Sequence, residues 1–135
     1  MPLYSGKGFL IGWVSFVNRP NDDLHGTLSW LKLPAPTSKL YPGGLTVASD
    51  AVGSSFVPGP QPFVCGKAQL QLGGAGNGLV MALAVSPTTG VFKGQILNRV
   101  TGKPVLFQGA VLDKINSGYG FILGTNQSTP VTLTQ

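Results

Sequence analysis

The sequence predicts an all-β fold: an antiparallel, up-and-down β-barrel of roughly eight strands, with a β-sandwich as second choice. Three observations lead there. A Gly-punctuated strand pair occurs twice, with glycines at 8, 12 and 26 and again at 90, 94 and 109. Short apolar segments recur at steady spacing between Gly-, Pro- and Asn-rich turns. No segment carries a sustained helical period with caps.

The strands follow in order. Residues 8–17 are rich in β-branched and aromatic side chains and end at Asn18-Arg19-Pro20-Asn21-Asp22-Asp23, a strong turn cluster. Residues 24–33 form the return strand. Leu24, Gly26, Leu28 and Trp30 alternate there with His25, Thr27, Ser29 and Leu31, giving a mostly one-sided apolar face. Pro34-Ala35-Pro36-Thr37-Ser38-Lys39 is a loop, because proline cannot join a strand ladder. A short strand is predicted near 44–49, and an irregular connection over 50–64, which holds Pro58, Pro60 and Pro62. Strands near 66–72 and 78–85 flank Gly73-Gly74-Ala75-Gly76-Asn77-Gly78, which reads as a hairpin loop. Ser86-Pro87-Thr88-Thr89-Gly90 is a tight turn. Strands at 91–98 and 105–112 flank Thr101-Gly102-Lys103-Pro104, and further strands are expected at 119–124 and 129–134. Glycines within strands permit the coiling a small barrel needs.

At 135 residues the chain reads as a single barrel-like domain spanning 1–135. Charged residues are only 10 % of it: nine Lys/Arg against four Asp and no Glu, for a net charge of +5. The basic residues stand singly, so no nucleic-acid patch forms and no nucleic-acid partner is expected. No apolar run approaches the ~18 residues of a membrane helix, so no membrane span is expected.

Chemistry-bearing constellations are thin. One Cys and one His, Cys65 and His25, do not make a zinc site. The Gly73–Gly78 loop lacks the Lys-Ser/Thr of a phosphate-binding loop. Asp22 and Asp23 are adjacent and suit a turn better than a pair of catalytic carboxylates. No Gly-x-Ser-x-Gly elbow is present. The reading is therefore a non-enzyme with no cofactor and no metal. Aromatic side chains on strands are first of all core. As a ligand or sugar-stacking platform, Trp13, Trp30 and Tyr41 are the candidates.

Two groups of motifs carry a resemblance. The first is Pro2-Leu3-Tyr4-Ser5-Gly6-Lys7-Gly8-Phe9 through Gly12-Trp13, then Leu24-x-Gly26-x-Leu28-x-Trp30-x-Lys32 and Tyr41-Pro42-Gly43-Gly44. The second is Gly90-x-Phe92-x-Gly94, Phe107-x-Gly109-x-Val111-Leu112 and Gly118-x-Gly120-Phe121-x-Leu123-Gly124. Together they resemble a Gly/aromatic-patterned β-module of large secreted multi-domain proteins from Verrucomicrobia-type environmental bacteria. The resemblance implies an extracellular or cell-surface setting, a segment of a longer secreted protein, and Met1 as an internal boundary. It implies no catalytic residue.

The function expected from this reading is a non-catalytic structural or adhesive module that assembles with protein partners, or with itself, through strand edges. The C-terminal segment Thr129-Pro130-Val131-Thr132-Leu133-Thr134 is the edge expected to pair. The alternatives are a small-ligand barrel of lipocalin-like logic, lined by Trp13, Phe16 and Trp30, and a carbohydrate-binding module with a glycan partner.

Overall fold

The computed structural model describes residues 2–59, 69–72, 79–98 and 101–134. The described residues are built of strands, short 3-10 turns and loops, and they form two antiparallel sheets. The chain divides into two compact units: Met1–Ser54 with Thr125–Gln127, and Ser55–Gly124 with Ser128–Gln135.

The first unit holds β1 (Pro2–Leu3), β2 (Gly8–Phe16), β3 (Leu24–Lys32) and β4 (Leu45–Gly53), in the order β1-β2-β3-β4. The hairpin β2–β3 is the one the sequence predicts. Its turn is closed by Arg19 N–H donating to the Asp22 carbonyl at 2.8 Å and Val17 N–H donating to that of Asp23 at 3.1 Å. The register pairs Phe16 with Leu24 at the turn and Gly8 with Lys32 at the far end. Gly12 and Gly26 allow the two backbones to approach closely. A Cβ at Gly12 would run into the Thr27 carbonyl and lie 2.9 Å from Leu28 Cα; one at Gly26 would meet the Trp13 carbonyl and Val14 Cα.

The second unit holds β5 (Gln69–Leu72), β6 (Leu79–Val85), β7 (Val91–Leu97), β8 (Pro104–Leu112), β9 (Ser117–Leu123) and β10 (Ser128–Thr134). Their order is β5-β10-β9-β8-β7-β6. Strict alternation along β7 and β8 buries Phe92, Ile96, Phe107 and Val111, which join Ile122, Val131 and Leu133 in one apolar cluster. Phe92, with no exposed surface, is its centre; its ring lies 6.2 Å from that of Phe107, tilted by 55°. The space for these rings is made by Gly94, Gly109 and Gly118, where any Cβ would collide with Phe107 or Phe92. The second Gly-punctuated hairpin is thus also formed, as β7–β8, with Phe92 opposite Gly109 and Phe107 opposite Gly94.

Three expectations are corrected. Neither sheet closes on itself among the described residues, so the single up-and-down barrel is replaced by two open antiparallel sheets. The predicted hairpin of 66–72 with 78–85 does not form among the described residues. β5 pairs with β10 and β6 with β7, which puts these sequence neighbours at opposite edges of one sheet. Residues 60–68 and 73–78, including the Gly-rich loop and Cys65, lie outside the described residues. Finally, β10 is not an edge: Leu133 lies between Leu70 and Gly118, and the C-terminal segment is paired on both sides. Smaller differences are that the fourth strand runs to Gly53 rather than ending near 49, and that a two-residue β1 precedes β2.

Candidate functional site

Among the described residues, the buried apolar cluster is drawn from the second unit. The three long strands of the first unit are rich in large apolar side chains, and on β2 all of these but Leu10 are exposed. Trp13 is 90 % exposed, Phe16 75 % and Ile11 62 %. Phe9, Val14 and Val17 are exposed too, as are Val47 and Val52 on β4. Monomeric soluble proteins seldom leave contiguous apolar surface of this kind uncovered, and where it occurs it marks an interaction site.

The pairing register assigns these residues to faces. Residues directly opposite in a sheet share a face. Phe9, Ile11 and Trp13 therefore share a face with Leu31, Ser29 and Thr27. Leu10, Val14 and Phe16 share the other with Trp30, Gly26 and Leu24. Along β3 the alternation is legible in burial, with Leu24, Gly26, Leu28 and Trp30 half-buried and His25, Thr27 and Ser29 exposed.

Part of the β2 backbone also points away from β3. Leu33 N–H donates to the Lys7 carbonyl at 2.8 Å, and Val17 N–H to that of Asp23. Both pairs continue the β2–β3 register, so the odd-numbered residues of β2 exchange hydrogen bonds with β3. The N–H and C=O groups of Gly12, Val14 and Phe16 consequently point away from β3. On that side, among the described residues, β1 pairs with Gly8 and Phe9. The usual protections of an edge strand are charge, proline, bulges or shortness. β2 has nine residues, no charge and no proline, and its register with β3 is unbroken.

The three residues proposed from sequence are not brought to one surface. Trp13 and Trp30 lie on opposite faces of the sheet by register. Trp30 is half-buried, and its indole N–H is covered without a hydrogen-bond partner. Tyr41 sits in a loop beyond the strands with φ of 50°, its N–H donating to the Asn126 carbonyl at 2.7 Å. Its own carbonyl accepts from Lys32 Nζ at 2.7 Å.

Lys32 is a residue that sequence reasoning missed. Its side chain is only 4 % exposed, and its ammonium lies 5.6 Å from the centre of the Tyr4 ring. A buried cation held by a carbonyl and an aromatic face is a satisfied arrangement. It ties the 3-10 turn Tyr4–Gly6 and the Tyr41 loop to the end of β3. Tyr4, Ser5 and Tyr41 all have positive φ, so this end of the sheet holds a backbone that L-residues rarely adopt. No local pattern in the sequence signals it.

Elsewhere, His25 Nδ1 is 3.7 Å from Asp22 Oδ2 and Arg19 is 3.9 Å from Asp22 Oδ1, a small charged cluster at the β2–β3 turn. That placement matches a turn role for Asp22. On the outer face of the second sheet, Pro104, Leu106, Phe121 and Leu123 line a shallow apolar depression of about 440 Å³. Among the described residues no helix is long and apolar enough to cross a membrane. Compared with known proteins, the chain matches no family model, no curated protein and no solved structure. The resemblance to secreted bacterial modules rests on the sequence motifs alone.

Proposed function

We propose that the chain is a non-catalytic structural or adhesive module, extracellular or at the cell surface, which assembles with other chains or domains through its strand edges. The observation that carries this reading is β2, a nine-residue strand with no charge, with Ile11, Trp13 and Phe16 exposed, and with the backbone groups of Gly12, Val14 and Phe16 pointing away from β3. Covering an exposed apolar side chain of this size contributes about 1.5–3 kcal/mol. Three from each of two surfaces offset much of an association cost of about 4–15 kcal/mol. Main-chain hydrogen bonds from these outward groups supply direction and register. The extracellular setting rests on the resemblance of the Gly and aromatic motifs to secreted modules. Light scattering of the purified chain across a concentration series tests the proposal. A defined oligomer or a polymer is expected; a monomer throughout would remove self-assembly and require a different partner chain.

A second reading is favoured by Trp13 alone. A tryptophan 90 % exposed on a strand is a surface on which a sugar ring can stack. Glycan-array binding that is lost in Trp13→Ala would support it; an array without binding would count against it.

A further inference from the structure

We infer that Trp13 is the stacking platform of a site for a neutral glycan, and that Thr27 and Asp50, on the same face of the first sheet, bind the sugar hydroxyls. The site rests on the stacking reading of Trp13 above and adds its hydrogen-bonding groups and the charge class of its ligand.

The register builds the face. Trp13 is opposite Thr27, and Thr27 is opposite Asp50, so β2, β3 and β4 bring these three residues into one row. Residues directly opposite share a face of the sheet. The next row towards the β2–β3 turn is Ser15, His25 and Val52, and the row on the other side is Ile11, Ser29 and Ala48. Every residue of the three rows is exposed. The opposite face differs, since Leu24, Leu28 and Trp30 are half-buried there. Trp13 therefore stands on the open face. Neighbouring strands lie about 4.7–4.9 Å apart, which sets Asp50 about 9–10 Å from Trp13 along the row, with Thr27 between them. A sugar ring on the indole meets the Thr27 hydroxyl. The next sugar of a chain laid across the strands meets the Asp50 carboxylate. His25 and Ser29 flank the indole as diagonal neighbours at about 7–8 Å.

Two observations choose the ligand. The first selects a glycan over a protein. A tryptophan that anchors a protein interface is ringed by contacts that exclude water. The neighbours of Trp13 on β3 are instead the Thr27 and Ser29 hydroxyls and the His25 imidazole, groups that both donate and accept hydrogen bonds. A sugar presents the matching surfaces: a face of C–H groups for the indole and hydroxyls around its rim. The second observation is charge. Asp50 is the one Asp, Glu, Lys or Arg in the three rows, and among the described residues it takes part in no ion pair. A carboxylate accepts hydrogen bonds from two sugar hydroxyls. It repels the carboxylate or sulfate of an acidic glycan. The chain has nine Lys/Arg, but it places none of them in these rows, so the face offers an anion no compensating charge.

Isothermal titration calorimetry of the full chain at physiological ionic strength tests the site. The probes are soluble glucomannan, xyloglucan and galactan, with polygalacturonate as the acidic counterpart. The wild type should bind at least one neutral polysaccharide. Trp13→Ala should abolish that binding, and Trp13→Phe, which keeps a smaller ring, should restore part of it. Asp50→Ala should weaken it about 10-fold or more, and Thr27→Val about 3–10-fold. Ser49→Ala removes a hydroxyl from the same strand as Asp50 but from the opposite face, and should bind as the wild type does. If Trp13→Ala abolishes binding while Asp50→Ala and Thr27→Val bind unchanged, the site is overturned and the stacking reading stands. Binding of polygalacturonate that depends on Trp13 and matches the best neutral polysaccharide would overturn the charge assignment. If the wild type binds none of the probes, the site and the stacking reading both fall.

Discussion

Replacing Gly118 by alanine should cost about 1–2 kcal/mol of stability, and the cost should depend on Phe92. A Cβ at this position would lie 2.8 Å from Phe92 Cε1 and 3.3 Å from both Phe92 Cδ1 and Leu133 Cβ. Carbon atoms rest at about 3.5–4.0 Å, so the ring must retreat by roughly 0.7 Å or more. It has little room, because Phe92 is wholly buried and packs against Phe107. Overpacking of this kind costs about 1–3 kcal/mol. Alanine in a strand recovers about 0.5–1 kcal/mol of the backbone entropy that glycine loses. For a chain of this size the net change corresponds to a fall in Tm of about 3–6 °C. Urea unfolding of four proteins measures it: the wild type, Gly118→Ala, Phe92→Leu and the double variant. Leucine withdraws the atoms nearest the new methyl group, so the double variant should be more stable than the sum of the single effects by about 1 kcal/mol. Additivity to within about 0.3–0.5 kcal/mol would refute the reasoning, since Gly118 would then not be making room for that ring.

Three other substitutions probe the first unit. Gly26→Ala should destabilise by about 2–3 kcal/mol, because the backbone atoms its methyl group meets cannot step aside as a side chain can; a thermal melt that stays put would contradict the close approach of β2 and β3. Lys32→Met keeps the buried stem but removes the donor to the Tyr41 carbonyl, and should lower stability by about 1–2 kcal/mol. An unchanged denaturation midpoint there would show that the ammonium does not hold the loop. Trp13→Ser should leave the stability of the isolated chain within about 0.5 kcal/mol while lowering the assembled mass at a given concentration. Equal masses for variant and wild type would remove Trp13 from the contact.

The two Gly-punctuated hairpins were legible in the sequence because both their signals are local. The turn cluster 18–23 and the Thr101–Pro104 turn fix which strands pair, and the glycines fall where facing backbones or rings need space. The place of β5 was not legible. Its neighbour in sequence is β6 across a Gly-rich loop, but its partner is β10, some sixty residues further on. A four-residue strand of alternating Gln and Leu carries no local signal that selects one partner over the other. The same long-range pairing turned the C-terminal strand from a predicted edge into an interior strand. Faces were readable in β3, where apolar and polar residues alternate, but not in β2, where nearly every position is apolar and a period of two selects neither side. Trp13 and Trp30 therefore looked like one platform although the register separates them. The Lys32 contact was invisible for another reason: it depends on the positive φ of Tyr4 and Tyr41, residue types that give no hint of that conformation.

The central claim is that the outward amides of β2 are the groups used in assembly. Site-resolved amide hydrogen exchange at Gly12, Val14 and Phe16, followed across a concentration series, tests it most directly. Ile11 and Trp13, already bonded to β3, serve as internal references. Protection at Gly12, Val14 and Phe16 should rise with concentration in step with the assembled mass, while the references change little. Rapid exchange at these three amides in a fully assembled sample would contradict the claim.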